Sequence, residues 1–251
     1  MTGTFRLRLS ITAALIFSVA SPLCAAQDER VEQVVRDAQA AYEKVSDYTA
    51  TILRTERIGR IVRKEEEIFL KFRKPGSVYM KWMTSPNPGL LNAGAEVIYP
   101  STPSSGKMIA HLGGLINLIT PTVTVLPTDR MAMENNRHPV THTGIGFVLK
   151  LFTEQRKKAL SEREFSERYH GIVEIMGRQA HKIECVLPGK EKGFYCYRTM
   201  VCFDAETRLP VRIVTYDWND ELLEQYSFRD IRLNPGLPDA DFDPGNKSYE
   251  F

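Results

Sequence analysis

Apolar positions change period several times along the chain, and each change marks an element. Over residues 28–46, Val31, Val34, Val35, Ala38, Ala41, Tyr42 and Val45 recur at the three- and four-residue spacing of a helix with one apolar face. Asp28 stands where an N-cap carboxylate accepts from the orphan amides of the first turn. Residues 48–58 and 61–73 read as β-rich runs joined near Gly59, and Arg73-Lys74-Pro75-Gly76-Ser77 turns the chain into a further strand over 78–83. Alternation puts Ile68, Leu70 and Phe72 on one face, which Val78, Met80 and Trp82 can share across the hairpin. The opposite face mixes Glu67, Lys71, Arg73 and Lys81 with Phe69, Tyr79 and Met83, so the sheet has one apolar and one mixed face, and the helix is expected on the apolar one.

Residues 95–99 and 107–111 read as shorter strands around a Pro-, Ser- and Gly-rich loop. Residues 112–126 are apolar without a clean period, carrying Leu115, Ile116, Leu118 and Ile119 among glycines and Pro121. That pattern fits a buried connection or irregular strand, or else a flap over an apolar pocket. After a polar, irregular stretch at 128–143, a helix returns over 144–160 with Thr143 placed to cap it. Strands resume at 171–176, 180–187 and 195–203. The segment 201–242 continues as strand, turn at Asp204-Ala205-Glu206-Thr207, strand, turn at Trp218-Asn219-Asp220, and strand. The expected class is α+β, mainly β, in one domain over 27–251, with no internal repeat.

At the N-terminus, Arg6 and Arg8 precede an apolar run over 11–20, and small residues follow to Ala26, the pattern of a cleaved signal peptide over 1–26. That run is shorter than the roughly 20 residues a spanning helix needs, and no integral membrane segment is expected elsewhere. Lipid anchoring through Cys24 is disfavoured because bulky Leu23 precedes it, so the expected location is the periplasm. Removing Arg6 and Arg8 takes the formal charge from +2 to zero, and the balance calls for no nucleic acid.

Cleavage leaves Cys185, Cys196 and Cys202. A hairpin centred on the loop Pro188-Gly189-Lys190-Glu191-Lys192-Gly193 makes Cys185 face Cys196, which predicts a Cys185–Cys196 disulfide; two reduced, buried thiols are the alternative. His138 and His142 are four apart but separated by Pro139 in an irregular context, which favours surface or capping roles over a metal, and no metal or other cofactor is expected. The chain lacks Gly-x-Ser-x-Gly, HExxH and a glycine-rich phosphate cradle, so a non-enzymatic role is expected.

Several stretches together resemble the LolA/LolB-like lipoprotein-carrier superfamily. They are the leading helix, the paired strands over 48–73, Lys74-Pro75-Gly76 before Val78-Tyr79-Met80-Lys81-Trp82, Leu209-Pro210-Val211, and Phe228-Arg229-Asp230-Ile231-Arg232-Leu233-Asn234 followed by Leu237-Pro238-Asp239-Ala240-Asp241-Phe242. Glu184-Cys185-Val186-Leu187-Pro188, Tyr195-Cys196-Tyr197-Arg198-Thr199 and the tail resemble a bacterial branch known only as a domain of unknown function. The resemblance implies a curled antiparallel sheet, an incomplete barrel, with helices over its open side and an apolar cavity between. Such a cavity would hold acyl chains of a lipid or a lipidated polypeptide, and an envelope protein partner is the other expectation. Its lining would be Ile68, Leu70, Phe72, Val78, Met80 and Trp82, with Leu115, Ile116, Leu118 and Ile119 as a cover. The polar link at 128–143 and the cysteine hairpin depart from the lipoprotein chaperone, so its partners do not carry over.

Overall fold

The computed structural model describes residues 22–87, 91–100, 102, 105–113 and 122–251. Most of the predicted signal peptide, and Leu115, Ile116, Leu118 and Ile119, lie outside the described residues.

Helix α1 (Pro22–Glu43) leads into β1 (Asp47–Ile58), β2 (Ile61–Val62), β3 (Glu66–Arg73), β4 (Ser77–Thr84), β5 (Glu96–Tyr99), β6 (Met108–His111) and β7 (Thr122–Val125). A single turn α2 (Arg130–Met133) and the longer α3 (Gly144–Ala159) follow. The chain then runs through β8 (Ser166–Ile175), β9 (Arg178–Val186), β10 (Arg198–Asp204), β11 (Pro210–Tyr216) and β12 (Leu222–Leu233). The strands form one antiparallel sheet in the order β7-β6-β5-β4-β3-β1-β12-β11-β10-β9-β8, with β2 folded back on β1, and it does not close into a barrel. One core runs from Met108 and Ala110 in β6 to Ile183 and Cys185 in β9 and takes in the buried faces of α1 and α3. A sheet whose two wings both reach the same helices must curl around them. The expected mainly-β architecture with helices in its concavity is what is found.

The predicted parity holds in the first hairpin, where Ile68 pairs with Trp82, Leu70 with Met80 and Phe72 with Val78. All but Phe72 are buried. The mixed face has a partner that alternation alone does not reveal: the C-terminal segment lies across it, stacking Tyr249 on Tyr79 at 4.1 Å and burying Phe242. Lys71 donates to Asp241 and Tyr249, and Glu96, without exposed surface, is ion-paired with Lys81 at 2.7 Å and accepts from the backbone of Glu250 at 3.0 Å.

Four expectations are corrected. Residues 61–73 are not one strand, because the Asn87 side chain accepts from Lys64 N at 2.9 Å and donates to Lys64 O at 2.7 Å, taking the backbone groups that a continuous ladder would use. Helix α1 begins before Asp28, which lies inside it and not at its cap. Thr143 occupies the N-cap of α3 in extended conformation but makes no side-chain cap; Tyr48 does that work, its hydroxyl accepting from Ile145 N at 2.9 Å. Gly144 fits there because its φ is +82° and a Cβ would lie 2.1 Å from the Tyr48 oxygen.

The predicted Cys185–Cys196 disulfide is also overturned: Cys185, Cys196 and Cys202 are all free and buried. A 3-10 turn at Lys190–Lys192 shifts the hairpin centre toward its C-terminal side. Leu187 then bonds Tyr197, and Thr199, not Cys196, stands opposite Cys185. Cys196 precedes β10 and packs with Leu187, Phe194 and Leu223 in a separate cluster, whereas Cys185 belongs to the main core. Burial raises the thiol of Cys185 above its ordinary range and that of Cys196 to about 12.

Candidate functional site

Between the concave face of the sheet and the segment 132–148 lies a cavity of about 60 Å³. Ile52, Ile68, Met80, Trp82 and Phe228 form its sheet wall, and Val140, Phe147 and Val148 face them from the helical side. Of the sequence-predicted lining, the structure brings Ile68, Met80 and Trp82 to this cavity. Leu70 is fully buried beneath the start of α3, and Phe72 and Val78 border an outer groove beside Tyr42 and Leu149. A void of this size admits small groups or a few waters, since a single water needs roughly 10–15 Å³ on this measure. It does not admit an acyl chain in the form seen.

The other half of the site lies along β1 and β12, outside the sequence-predicted lining. Arg54 and Glu56 are in phase with Ile52, and Glu224 and Tyr226 with Phe228, so the inward face turns polar toward one end of both strands. Register brings these residues together: Ile52 faces Phe228, Arg54 faces Tyr226, and Glu56 faces Glu224, while on the other side of β1 Arg54 faces Glu66. Two carboxylates directly opposite each other, both buried, would repel unless their charge were answered.

The answer comes from the polar link that follows α2. Arg54 donates to Glu66 and, at 2.7 Å, to Asn136, whose amide nitrogen in turn donates to Ala132 O at 2.8 Å. Arg63 donates to Asn135 at 2.9 Å. The backbone of Arg137 donates to Glu56 at 3.1 Å, and its guanidinium donates to Arg57 O at 3.0 Å and approaches Glu224 at 3.4 Å. His138 Nε2 lies 2.8 Å from Glu224, and the Tyr195 hydroxyl donates to the same carboxylate oxygen at 2.8 Å. Tyr226 donates to Glu56, bridging the facing pair. Burial and the adjacent carboxylates raise both tyrosines, keeping their hydroxyls protonated as donors. Burial alone would raise the Glu224 carboxyl, but the hydrogen bond and charge of His138, then Tyr195 and Arg137, bring it below the ordinary value.

Segment 135–138 is therefore a cover latched to the sheet by polar contacts over an apolar hollow. His138 and His142 both pack on Phe147, the first edge-on and the second stacked, each at 4.9 Å. Burial, then the neighbouring His138 and Lys150, lower the His142 pKa and favour its neutral ring. Among the described residues no group of three potential ligands is placed to hold a metal ion, and no helix is long and apolar enough to cross a membrane.

Solved structures with a similar fold include the lipoprotein LppX of Mycobacterium tuberculosis, at 11% identity over 84% of this chain and 98% of that one, with a TM-score of 0.49. The LolA superfamily protein NE2245 of Nitrosomonas europaea matches at 7% identity over 84% and 96%, with a TM-score of 0.33. The MucA/MucB complex of Pseudomonas aeruginosa matches at 15% identity over 86% and 61%, with a TM-score of 0.46. No curated protein matches the sequence. Residues 45–251 match the family described as protein of unknown function DUF1571, and the chain belongs to that family.

Proposed function

We propose that the protein is a non-enzymatic carrier or binding protein of the cell envelope that holds an acyl chain of a lipid or a lipidated polypeptide between its sheet and its helices. The observation that carries this reading is the apolar concave wall formed by Ile52, Ile68, Met80, Trp82 and Phe228 beneath a cover fixed mainly by polar contacts. Lifting it breaks these polar contacts and the packing of Ala132 and Val140 at its two ends, and leaves the sheet and α1 in place.

Magnitudes support loading. Hydrogen bonds involving ionised groups contribute about 1.5–3 kcal/mol net, so releasing the six contacts of the latch costs on the order of 9–18 kcal/mol. Each buried methylene returns about 0.8 kcal/mol, and a chain of roughly 12–22 carbons offsets the opening.

Native mass spectrometry of gently purified protein, together with uptake of a fluorescent fatty acid, tests the reading. A co-purifying amphiphile or saturable uptake is expected. Neither being found would remove it.

A second reading, an envelope lipid-sensing or scaffolding module that binds a protein partner, is favoured by the hairpin between β1 and β2. Its tip leaves Ile61 72% and Val62 49% exposed. Crosslinking from that tip tests it, and a captured partner whose binding is lost in Ile61→Asp would favour it over transport.

A further inference from the structure

Trp82 is 2% exposed, its ring lines the cavity, and its indole Nε1–H is buried with no acceptor among the described residues. An unmade hydrogen bond of this kind costs about 1–3 kcal/mol, a cost that a partner brought by a guest would remove. The surrounding charges are already matched. Glu66 engages Arg54 and Arg63, and Glu224 engages Arg137 and His138, while Glu56 accepts from Tyr226 and from the backbone of Arg137. Arg54 also lies over the Trp82 ring at 5.7 Å, but its guanidinium is held by Glu66 and Asn136. A guest carrying a free carboxylate or phosphate into this wall would add a negative charge beside Glu56 with no cation left to answer it. A neutral carbonyl oxygen has no such cost.

Building on the carrier reading, we infer that Trp82 Nε1–H is the polar anchor of the cavity and that it selects the ester or amide carbonyl of an acylated guest over a free fatty acid or a plain hydrocarbon. Ile68, Met80 and Phe228 then receive the methylenes next to that carbonyl. The donor is neutral, so the anchor sets where the chain is gripped without drawing in anionic headgroups.

The test compares methyl palmitate with octadecane, which has a similar length but no acceptor, on the wild-type protein and on Trp82→Phe, which keeps an aromatic ring but loses the donor together with part of the indole. The wild type is expected to bind the ester about 5–10-fold more tightly than octadecane, and Trp82→Phe to lose that preference, the ratio of the two affinities within each protein being the readout. If both ligands bind the wild type equally, or weaken equally in Trp82→Phe, the anchor is wrong and the carrier reading stands. If neither binds the wild type, both fall. The two tryptophans give a readout that does not need the variant to fold. The indole N–H resonance of Trp82, assigned by elimination with Trp218→Phe, is expected to move downfield with the ester and not with octadecane; an unmoved resonance in a protein that binds the ester overturns the anchor.

Discussion

Tyr48 in the first strand accepts the backbone N–H of Ile145 at 2.9 Å, so a fully buried sheet residue caps the helix that closes the concavity. The same ring stacks on Phe72 at 5.2 Å. Tyr48→Phe keeps the stack and leaves a buried amide without an acceptor. A loss of about 1–2 kcal/mol is expected in urea unfolding, with unchanged far-UV circular dichroism.

The latch gives a kinetic prediction. Asn136→Leu removes the contact with Arg54 while leaving Arg54 on Glu66. Loosening the cover by about 1 kcal/mol should speed uptake of a fluorescent fatty acid roughly fivefold, as measured by stopped flow. An unchanged rate would mean that the chain enters by another route.

The Glu224 carboxyl titrates below its ordinary value in the fold. The unfolded chain therefore binds more protons in that window, so the contribution of Glu224 is complete above the ordinary carboxyl range and is lost as pH falls through the folded pKa. The melting-temperature difference between wild type and Glu224→Gln should shrink steadily below about pH 4.5.

Asp204 gives a second, separate acid-sensitive point. It is 1% exposed and accepts from Arg178 at 2.6 Å and from Thr207 N at 2.7 Å, and these partners lower its pKa to about 2 although burial pushes it the other way. Its stabilisation is present above its unfolded value, near 4, and lost as pH falls toward 2. Asp204→Asn should cost about 2 kcal/mol at neutral pH and almost nothing at the acid end, by urea titration at each pH.

The cysteines predict indifference to reductant. With Cys185, Cys196 and Cys202 free and buried, the melting temperature should be the same with and without dithiothreitol, and the thiols should react with Ellman's reagent only on unfolding. A reductant-sensitive midpoint would reinstate a disulfide.

The first hairpin was legible because Lys74-Pro75-Gly76 fixes its turn and alternation does the rest, placing Ile68 opposite Trp82 as expected. The cysteine pairing was not, because a 3-10 turn inside a loop moves the register of everything after it. The polar half of the site was not legible, because charged residues in a strand pattern ordinarily mark a solvated face. Arg54, Glu56 and Glu224 keep phase with the core, but the groups of Arg137 and His138 that answer Glu56 and Glu224 come from a segment more than 80 residues away along the chain, which no local pattern announces. The cover over the mixed face was missed for the same reason, Tyr79 and Tyr249 being joined only by the fold.

The neighbouring placement of β1 and β12 at the middle of the sheet has a consequence for biogenesis. The wing made by residues 47–125 and the wing made by residues 166–216 can each form from local hairpins, but the seam between them closes only when residues 222–233 are in place. Until then two central strands present raw edges, the state most open to mispairing with other chains. A ribosome-tethered chain stalled short of residue 222 should therefore be the aggregation-prone and protease-sensitive species in the life of this protein.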